Sequence, residues 1–141
     1  MVVDIRAVLH RVVDEVFDDS VFVHEYDDHD APDAYRVRVT SRAVPYIQER
    51  DGCLVASYEW FQAHIPDLDV GNIRFNYDDD EREKEADLRD LALLVRAYLR
   101  GAGEVTYRPS LIRRRPIPTL TVEASGVRWR LGRRVSSEAR I

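Results

Sequence analysis

The stretch DDDEREKEADLRDLALLVRAYLRGAG, residues 78–103, predicts one long helix that the rest of the chain must cover. Its apolar residues recur at the i, i+3, i+4 and i+7 spacing of one helix face. Further leucines and alanines widen that face in the second half, which is typical of a buried helix. The face consists of Leu88, Leu91, Ala92, Val95, Tyr98 and Leu99.

Polar residues and a glycine mark the two ends of this helix. Any of Asp78, Asp79 and Asp80 can cap free backbone amides, and Glu83 follows Asp80 at the spacing of a capping box. Gly101 can take a positive φ and so end the helix. We therefore expect the helix to begin after one of these three aspartates and to end before Gly101.

A second helix is predicted near the start of the chain. Asp4 can cap it, and its apolar residues repeat at helical spacing from Ile5 to Phe17. The opposite face carries charges of both signs, which favours packing on a protein core over lying on a membrane surface.

The segments between the two helices alternate in the manner of strands. Residues 20–26 and 35–40 predict a hairpin, and its connection, DDHDAPD, is strongly acidic. Residues 52–58 predict a buried strand, whereas residues 59–64 are interpreted as a helical turn before a proline. Residues 72–77 predict a strand that sets three apolar side chains opposite three polar ones, namely Ile73, Phe75 and Tyr77 against Asn72, Arg74 and Asn76.

Beyond the long helix the chain is predicted to return to strands. Residues 104–108 form one, and residues 119–123 and 127–131 form a hairpin with Gly126 in the left-handed position of a three-residue loop. We expect a single α+β domain over residues 1–141, with a frayed tail from about residue 132. Its antiparallel sheet should have about five to seven strands, with the two helices packed on one face.

Length and cysteine content limit the class of protein. A chain of 141 residues can bury a core as one domain without a metal or disulfide. Cys53 is the single cysteine, so an internal disulfide and a cysteine-based zinc site are excluded, and a reducing, cytoplasmic location is expected. The first residues become acidic too early for a secretory signal, and we expect no membrane span and no cofactor.

Charge is divided unevenly along the chain. Residues 1–100 hold 23 acids and 12 bases, a balance of −11, whereas residues 101–141 hold 3 acids and 9 bases, a balance of +6. The two parts are therefore expected to attract opposite partners, or each other.

One hypothesis is an enzyme of unknown reaction. His24, His29 and Asp30 lie close in sequence and offer ligands for a divalent metal or a general acid and base. The spacing argues against this site, because the two histidines are five residues apart and point to opposite faces of a strand. His64, beside an aromatic run, is the other catalytic candidate, while Cys53 lies among apolar residues and is expected to be inert.

A second hypothesis is nucleic-acid binding through the arginine-rich part near the end of the chain. The candidate basic patch comprises Arg113, Arg114, Arg115, Arg128 and Arg130. Trp129 alternates against the last two and is expected to face the core rather than stack on bases. The net charge of −5 also opposes binding to a polyanion.

The leading hypothesis is a non-catalytic protein-binding module with an acidic surface. The acids fall into two clusters, one in the hairpin connection and one at the start of the long helix, and tyrosines flank them. Such a surface would dock on a basic protein, as an inhibitor or immunity-type protein does, and a homodimer through a sheet edge is also compatible with the pattern. The predicted contact residues are Asp27, Asp28, Asp30, Asp33, Tyr26, Tyr35, Asp78, Asp79, Asp80 and Glu81.

Overall fold

The computed structural model describes residues 3–27, 33–42, 48–109 and 116–133. Within these ranges, eight strands form a five-stranded and a three-stranded antiparallel sheet, and two helices pack against them. In chain order the elements are α1 (Ile5–Val16), β1 (Val21–Tyr26), β2 (Tyr35–Ser41), β3 (Asp51–Ala56), β4 (Trp60–Ile65), β5 (Val70–Phe75), α2 (Glu81–Leu99), β6 (Glu104–Arg108), β7 (Ile117–Ala124) and β8 (Val127–Leu131). The predicted α+β class is confirmed.

Both helices begin and end where their sequence signals lie. The Asp4 side chain accepts a hydrogen bond from the backbone N–H of Ala7 at 3.1 Å, and the Asp80 side chain accepts from the N–H groups of Arg82 and Glu83. Gly101, just after α2, has a φ of 102°, as its position after the helix predicts.

The two helices run parallel on the same side of the five-stranded sheet. Arg11 on α1 pairs with Glu85 on α2, and one turn further along Glu15 pairs with Arg89 at 2.8 Å. Because both pairs are separated by 74 residues, the helices advance in the same direction. Helix α1 covers β2 and β3, while α2 covers β3 and β4 and extends to β7.

The five-stranded sheet is a simple meander, with the strands in the order β1-β2-β3-β4-β5. The middle of its helix side is apolar and buried, with Val37, Val39, Leu54 and Ala63 beneath the helices, and Gly52 of β3 lies directly against Val95 of α2. A Cβ atom at that position would lie 2.5 Å from Cγ1 of Val95, so only glycine fits there without a shift. We call the opposite side of this sheet the outer face; no helix or strand of the described residues covers it.

The polar residues of β5 occupy the covered side of the sheet. Arg74, 9% exposed, donates to Asp87 and Asp90 of α2 at 3.0 Å each, and its guanidinium lies 5.1 Å from the ring centre of Trp129. Ile73 and Phe75 consequently point to the outer face. The sequence predicted the alternation of this strand correctly. Hydrophobicity alone, however, would place Ile73 and Phe75 on the helix side and Arg74 on the outer face, which is the reverse of what the structure shows.

The three-stranded sheet, in the order β6-β7-β8, joins the larger sheet at β5. The N–H of Gly71 donates to the carbonyl of Gly132 at 2.9 Å, and the Asn72 side chain donates to the carbonyl of Arg130 at 3.0 Å. Trp129 is 1% exposed, which confirms that it belongs to the core.

Two predictions of local structure were wrong. Residues 60–64 belong to β4 rather than to a helical turn, because Phe61, Ala63 and Ile65 alternate inward beside β3. The β7–β8 hairpin has a two-residue loop instead of three, since Ser125 and Gly126 both take positive φ and Ala124 pairs with Val127.

No helix among the described residues is both long and apolar enough to cross a membrane.

Candidate functional site: an acidic end beside a stacked aromatic pair

The strand register brings the two predicted acidic clusters to the same end of the five-stranded sheet. The β1–β2 connection, the β3–β4 turn and the segment from β5 to α2 all lie at this end, because neighbouring strands are antiparallel. We define the acidic end by its exposed carboxylates, which are Asp27, Asp33, Glu59, Asp78, Asp79, Asp80 and Glu81.

The width of the sheet sets the distance between the clusters. Asp33 precedes β2 and Asp78 follows β5, so three strand spacings separate them, about 14 Å at the usual 4.7–4.9 Å per spacing. One protein interface of ordinary size spans this distance. Arg82, in the first turn of α2, is the exposed base that lies nearest to these acids in sequence.

All four acids of the α2 cluster already have contacts within the chain. Asp80 caps α2, Asp79 accepts a hydrogen bond from the Tyr58 hydroxyl at 2.8 Å, Glu81 lies 3.8 Å from Arg11, and Asp78 shares a hydrogen bond with Glu83. These contacts use part of their hydrogen-bonding capacity for folding. The acids best placed to meet another molecule are therefore the ones outside this group.

Asp27, Asp33 and Glu59 have no ion pair or hydrogen bond through their side chains within the described ranges. The negative potential at this end is visible in Glu83 of α2. A hydrogen bond with Asp78, together with the charges of Asp78 and Asp80, raises the pKa of Glu83 above its ordinary value. A nearby cation would relieve this repulsion.

A buried lysine, Lys84, connects the segments of the acidic end through hydrogen bonds. Lys84 is 0% exposed, and its Nζ donates to the carbonyls of Tyr58 and Asn76 at 2.8 Å each. The ammonium also lies 4.9 Å from the centre of the Tyr58 ring, within the range of a cation–π contact. The only lysine of the chain thus joins the β3–β4 turn, the end of β5 and the first turn of α2.

Two aromatic rings stand exposed beside these acids. Phe75 and Tyr77 are 45% and 69% exposed and stack with their ring centres 6.0 Å apart and their planes at 10°. Between them, the N–H of Asn76 donates to the carbonyl of Glu59 at 2.9 Å, which places that acid next to the pair. Tyr77 was expected as one of the tyrosines that flank the acidic clusters, whereas Phe75 was not predicted as a contact, although its alternation with polar neighbours was visible in the sequence.

The two tyrosines of the hairpin, Tyr26 and Tyr35, lie on opposite faces of the sheet. Tyr26 lies on the outer face, half-buried, where burial and a hydrogen bond with Cys53 raise its pKa to about 12. Tyr35 lies on the helix side and is 39% exposed. The predicted contact residues Asp28 and Asp30 lie outside the described residues.

The histidines predicted for catalysis are not brought together. His24 on β1 and His64 on β4 share the outer face but are three strand spacings apart, about 14 Å. The Nε2 of His64 lies 3.3 Å from Asp69, while His29 and Asp30 lie outside the described residues. Among the side chains that the structure describes, no three His, Cys, Asp or Glu residues could hold a metal ion.

The thiol of Cys53 lies in the row between these histidines. Its cross-strand neighbours are two basic residues, Arg38 and His64. The sequence immediately around Cys53 is apolar and gave no sign of these basic neighbours. Burial nevertheless raises the pKa of Cys53, and the hydrogen bond with Tyr26 and the charge of Arg38 offset this only in part. The thiol is therefore protonated at neutral pH, and the arrangement does not favour nucleophilic chemistry.

The structure describes only two residues of the predicted basic patch, Arg128 and Arg130. Arg128 and Arg130 are exposed on β8, and Arg128 donates to Glu123 of β7 at 2.9 Å. Facing residues on β6 and β7 are threonines and glutamates, so the described part of this face has no aromatic ring for base stacking. The three arginines 113–115 lie outside the described residues.

No family model, no curated protein and no solved structure compared with this chain matches it.

Proposed function

We propose that this protein is a cytoplasmic, non-catalytic protein-binding module whose acidic end docks on a basic surface of another protein. The observation that carries the proposal is the convergence of exposed acids and a stacked aromatic pair at one end of the sheet. Asp27, Asp33 and Glu59 supply charge and have no ion pair or side-chain hydrogen bond among the described residues, and Phe75 and Tyr77 supply apolar contact area. Charge complementarity of this kind accelerates encounter and excludes wrong partners.

The β5 border of the outer face extends the proposed contact surface. Trp60 pairs directly with Phe75, which is 45% exposed there; Phe22, 54% exposed, lies at the opposite border on β1, and basic residues such as Arg38 and His64 lie between the two borders. Protein interfaces commonly have an apolar, aromatic centre and a polar rim. The acidic end would form such a rim along one border of this face.

An inhibitor that covers a nucleic-acid site is the most concrete form of the proposal. A site built for phosphates is lined with arginine and lysine, so an acidic surface with aromatic anchors is complementary to it. Arginine also stacks on aromatic rings, which gives Phe75 and Tyr77 a direct role at such a site. The enzyme and nucleic-acid hypotheses have no comparable convergence of described residues in their support.

The test is affinity capture from the source organism's lysate at low and high salt, with three matched baits. The first is wild type, and the second, the acidic-end variant, carries Asp27→Asn, Asp33→Asn and Glu59→Gln. The third, the control variant, changes three exposed acids elsewhere by the same charge, through Asp14→Asn, Asp67→Asn and Glu104→Gln. All six residues are exposed, so both variants should fold.

The proposal predicts a stoichiometric basic protein that wild type and the control variant retain at low salt and that high salt releases. The acidic-end variant should lose it, because three charges are removed from the contact surface. Equal capture by both variants would show that the acidic end is not the contact surface. Recovery of nucleic acid instead of a protein would contradict the proposal and turn attention to the arginines.

A further inference from the structure

A cavity of about 160 Å³ lies at the end of the molecule opposite the acidic end. It opens where the last turns of α1 and α2 meet the start of β1, and its floor is formed by Val16, Phe17, Val21 and Leu99. All four floor residues are at most 9% exposed, so the floor is apolar and belongs to the core. The proposed docking surface does not include any of these residues.

Three arginines stand around the mouth of this cavity. Arg96 donates to the carbonyl of Val16 at 3.4 Å, Arg42 donates to the carbonyl of Asp19, and Arg100 lies 3.7 Å from Asp18. A guanidinium carries five N–H donors, so each has further donors to offer beyond its contact with the described residues. Among the described residues of the lining Asp18 is the single acid, so their formal charge is three minus one, or +2.

The pairing of Arg100 with Asp18 is loose, and its cause lies in the turn after α1. The Asp18 carboxylate accepts a hydrogen bond from the N–H of Ser20 at 2.9 Å. Hydrogen bonds with Ser20, and then the charge of Arg100, lower the pKa of Asp18, so this carboxylate stays ionised. Its separation of 3.7 Å from Arg100 exceeds the 2.7–2.9 Å of a charge-assisted hydrogen bond, and a second carboxylate could approach that guanidinium.

We propose that this cavity binds a carboxylate attached to a compact apolar group. The apolar part would enter the floor while the carboxylate met Arg96 and Arg100 at the mouth. A cavity of about 150 Å³ lined by apolar side chains accommodates one benzene molecule, so the apolar part is about the size of one aromatic ring or one leucine side chain. Such a group exists either as a free monocarboxylic acid or as the last residue of a peptide.

The first experiment is a titration of the ¹⁵N-labelled protein with benzoate, followed by amide chemical shifts. Benzyl alcohol serves as the uncharged probe with the same ring. We expect benzoate to shift the amides around Val21 and Leu99 in a saturable manner, and benzyl alcohol to shift them much less. No saturable shift up to roughly 10 mM benzoate, or an equal response to both probes, would overturn the proposal.

Charge variants then test the role of the arginines. Arg96→Gln and Arg100→Gln should each weaken benzoate binding about tenfold, because each removes a hydrogen bond between charged groups. Arg128→Gln, the same charge change on the distant strand β8, should leave the affinity unchanged. Equal affinities in all three variants would refute the assigned contacts, and a retained spectrum elsewhere would verify the fold.

The source of the carboxylate is resolved by a second pair of probes. N-acetylphenylalanine resembles a peptide C-terminus. N-acetylphenylalaninamide, in which a carboxamide replaces the carboxylate, is the matched probe without the charge. Tighter binding of N-acetylphenylalanine than of benzoate, with no binding of the amide, would indicate a peptide C-terminus; tighter binding of benzoate would indicate a free acid. Binding of the amide as strongly as the acid would contradict the proposal. The outcome is independent of the acidic end, which lies at the other end of the sheet.

Discussion

Replacing Lys84 with methionine removes the cation that holds three segments of the acidic end together. Lys84 has no exposed surface, and its Nζ donates to two backbone carbonyls, those of Tyr58 and Asn76, at 2.8 Å each. Methionine has a similar length and no polar group, so it fills the same space while leaving both carbonyls without this donor. The substitution therefore isolates the contribution of the ammonium.

The expected loss follows from those two carbonyls. A buried acceptor left unsatisfied costs about 1–3 kcal/mol, so two of them cost about 2–6 kcal/mol. Methionine recovers part of this because it buries no charge, and replacing buried charges with apolar groups is often neutral when both partners are removed. Here the acceptors belong to the backbone and remain. We expect the free energy of unfolding to fall by about 2–4 kcal/mol.

Urea unfolding of wild type and Lys84→Met, followed by circular dichroism, measures this difference. Arg82→Met is the matched control, because Arg82 lies in the same helical turn but is exposed, and its replacement should change stability by less than about 0.5 kcal/mol. An unfolding free energy of Lys84→Met equal to or above that of wild type would refute the reasoning. The buried ammonium of Lys84 would then lower the free energy of unfolding rather than raise it.

Further predictions concern the helix–sheet contact and the charge of the acidic end. Gly52→Ala places a Cβ atom 2.5 Å from Cγ1 of Val95, and we expect a loss of about 1–3 kcal/mol in urea unfolding. The loss should shrink in a Val95→Ala background, where the space is free; an equal loss there would show that this contact is not its cause. Glu83→Gln tests the repulsion among the acids. Because the pKa of Glu83 is raised in the folded state, wild type loses stability as pH rises through that pKa. Glu83→Gln should therefore have the higher melting temperature at neutral pH, and this advantage should vanish below the ordinary pKa of a glutamate. An advantage that did not change with pH would contradict the assigned cause.

Local signals were sufficient to predict the helices. For α2 the apolar period, the Asp80 cap and Gly101 agree, and none of these signals depends on distant residues. Strand β4 was misjudged because Trp60 and Phe61 are both aromatic, and only pairing with β3 shows which of them is covered. Short apolar runs of this kind do not distinguish helix from strand by periodicity.

The faces of β5 depend on contacts that are distant in the sequence. Arg74 points inward because it donates hydrogen bonds to Asp87 and Asp90 of α2 and lies against the ring of Trp129 there. That inversion exposes Phe75 on the outer face. A pattern of hydrophobicity contains no information on such a polar contact beneath a helix.

The candidate site was predicted as two acidic clusters but not as one surface. Their meeting depends on the number of strands between them, since each additional strand reverses the chain direction. The separate roles of the acids also required coordinates, because the sequence marks Asp78, Asp79 and Asp80 alike as possible caps, and only the structure shows that Asp80 caps α2 while Asp79 accepts from Tyr58. Lys84 was visible as the only lysine, yet its role depends on two carbonyl groups from other segments.

The most direct test of the central claim is the association rate of the captured partner as a function of ionic strength. The account predicts that wild type associates rapidly at low salt and slows steeply as salt is added, because the acidic end steers the encounter. The acidic-end variant should associate about tenfold more slowly at low salt, with a flatter dependence, and the control variant should follow wild type. Identical rates and identical salt dependence for wild type and the acidic-end variant would contradict the claim.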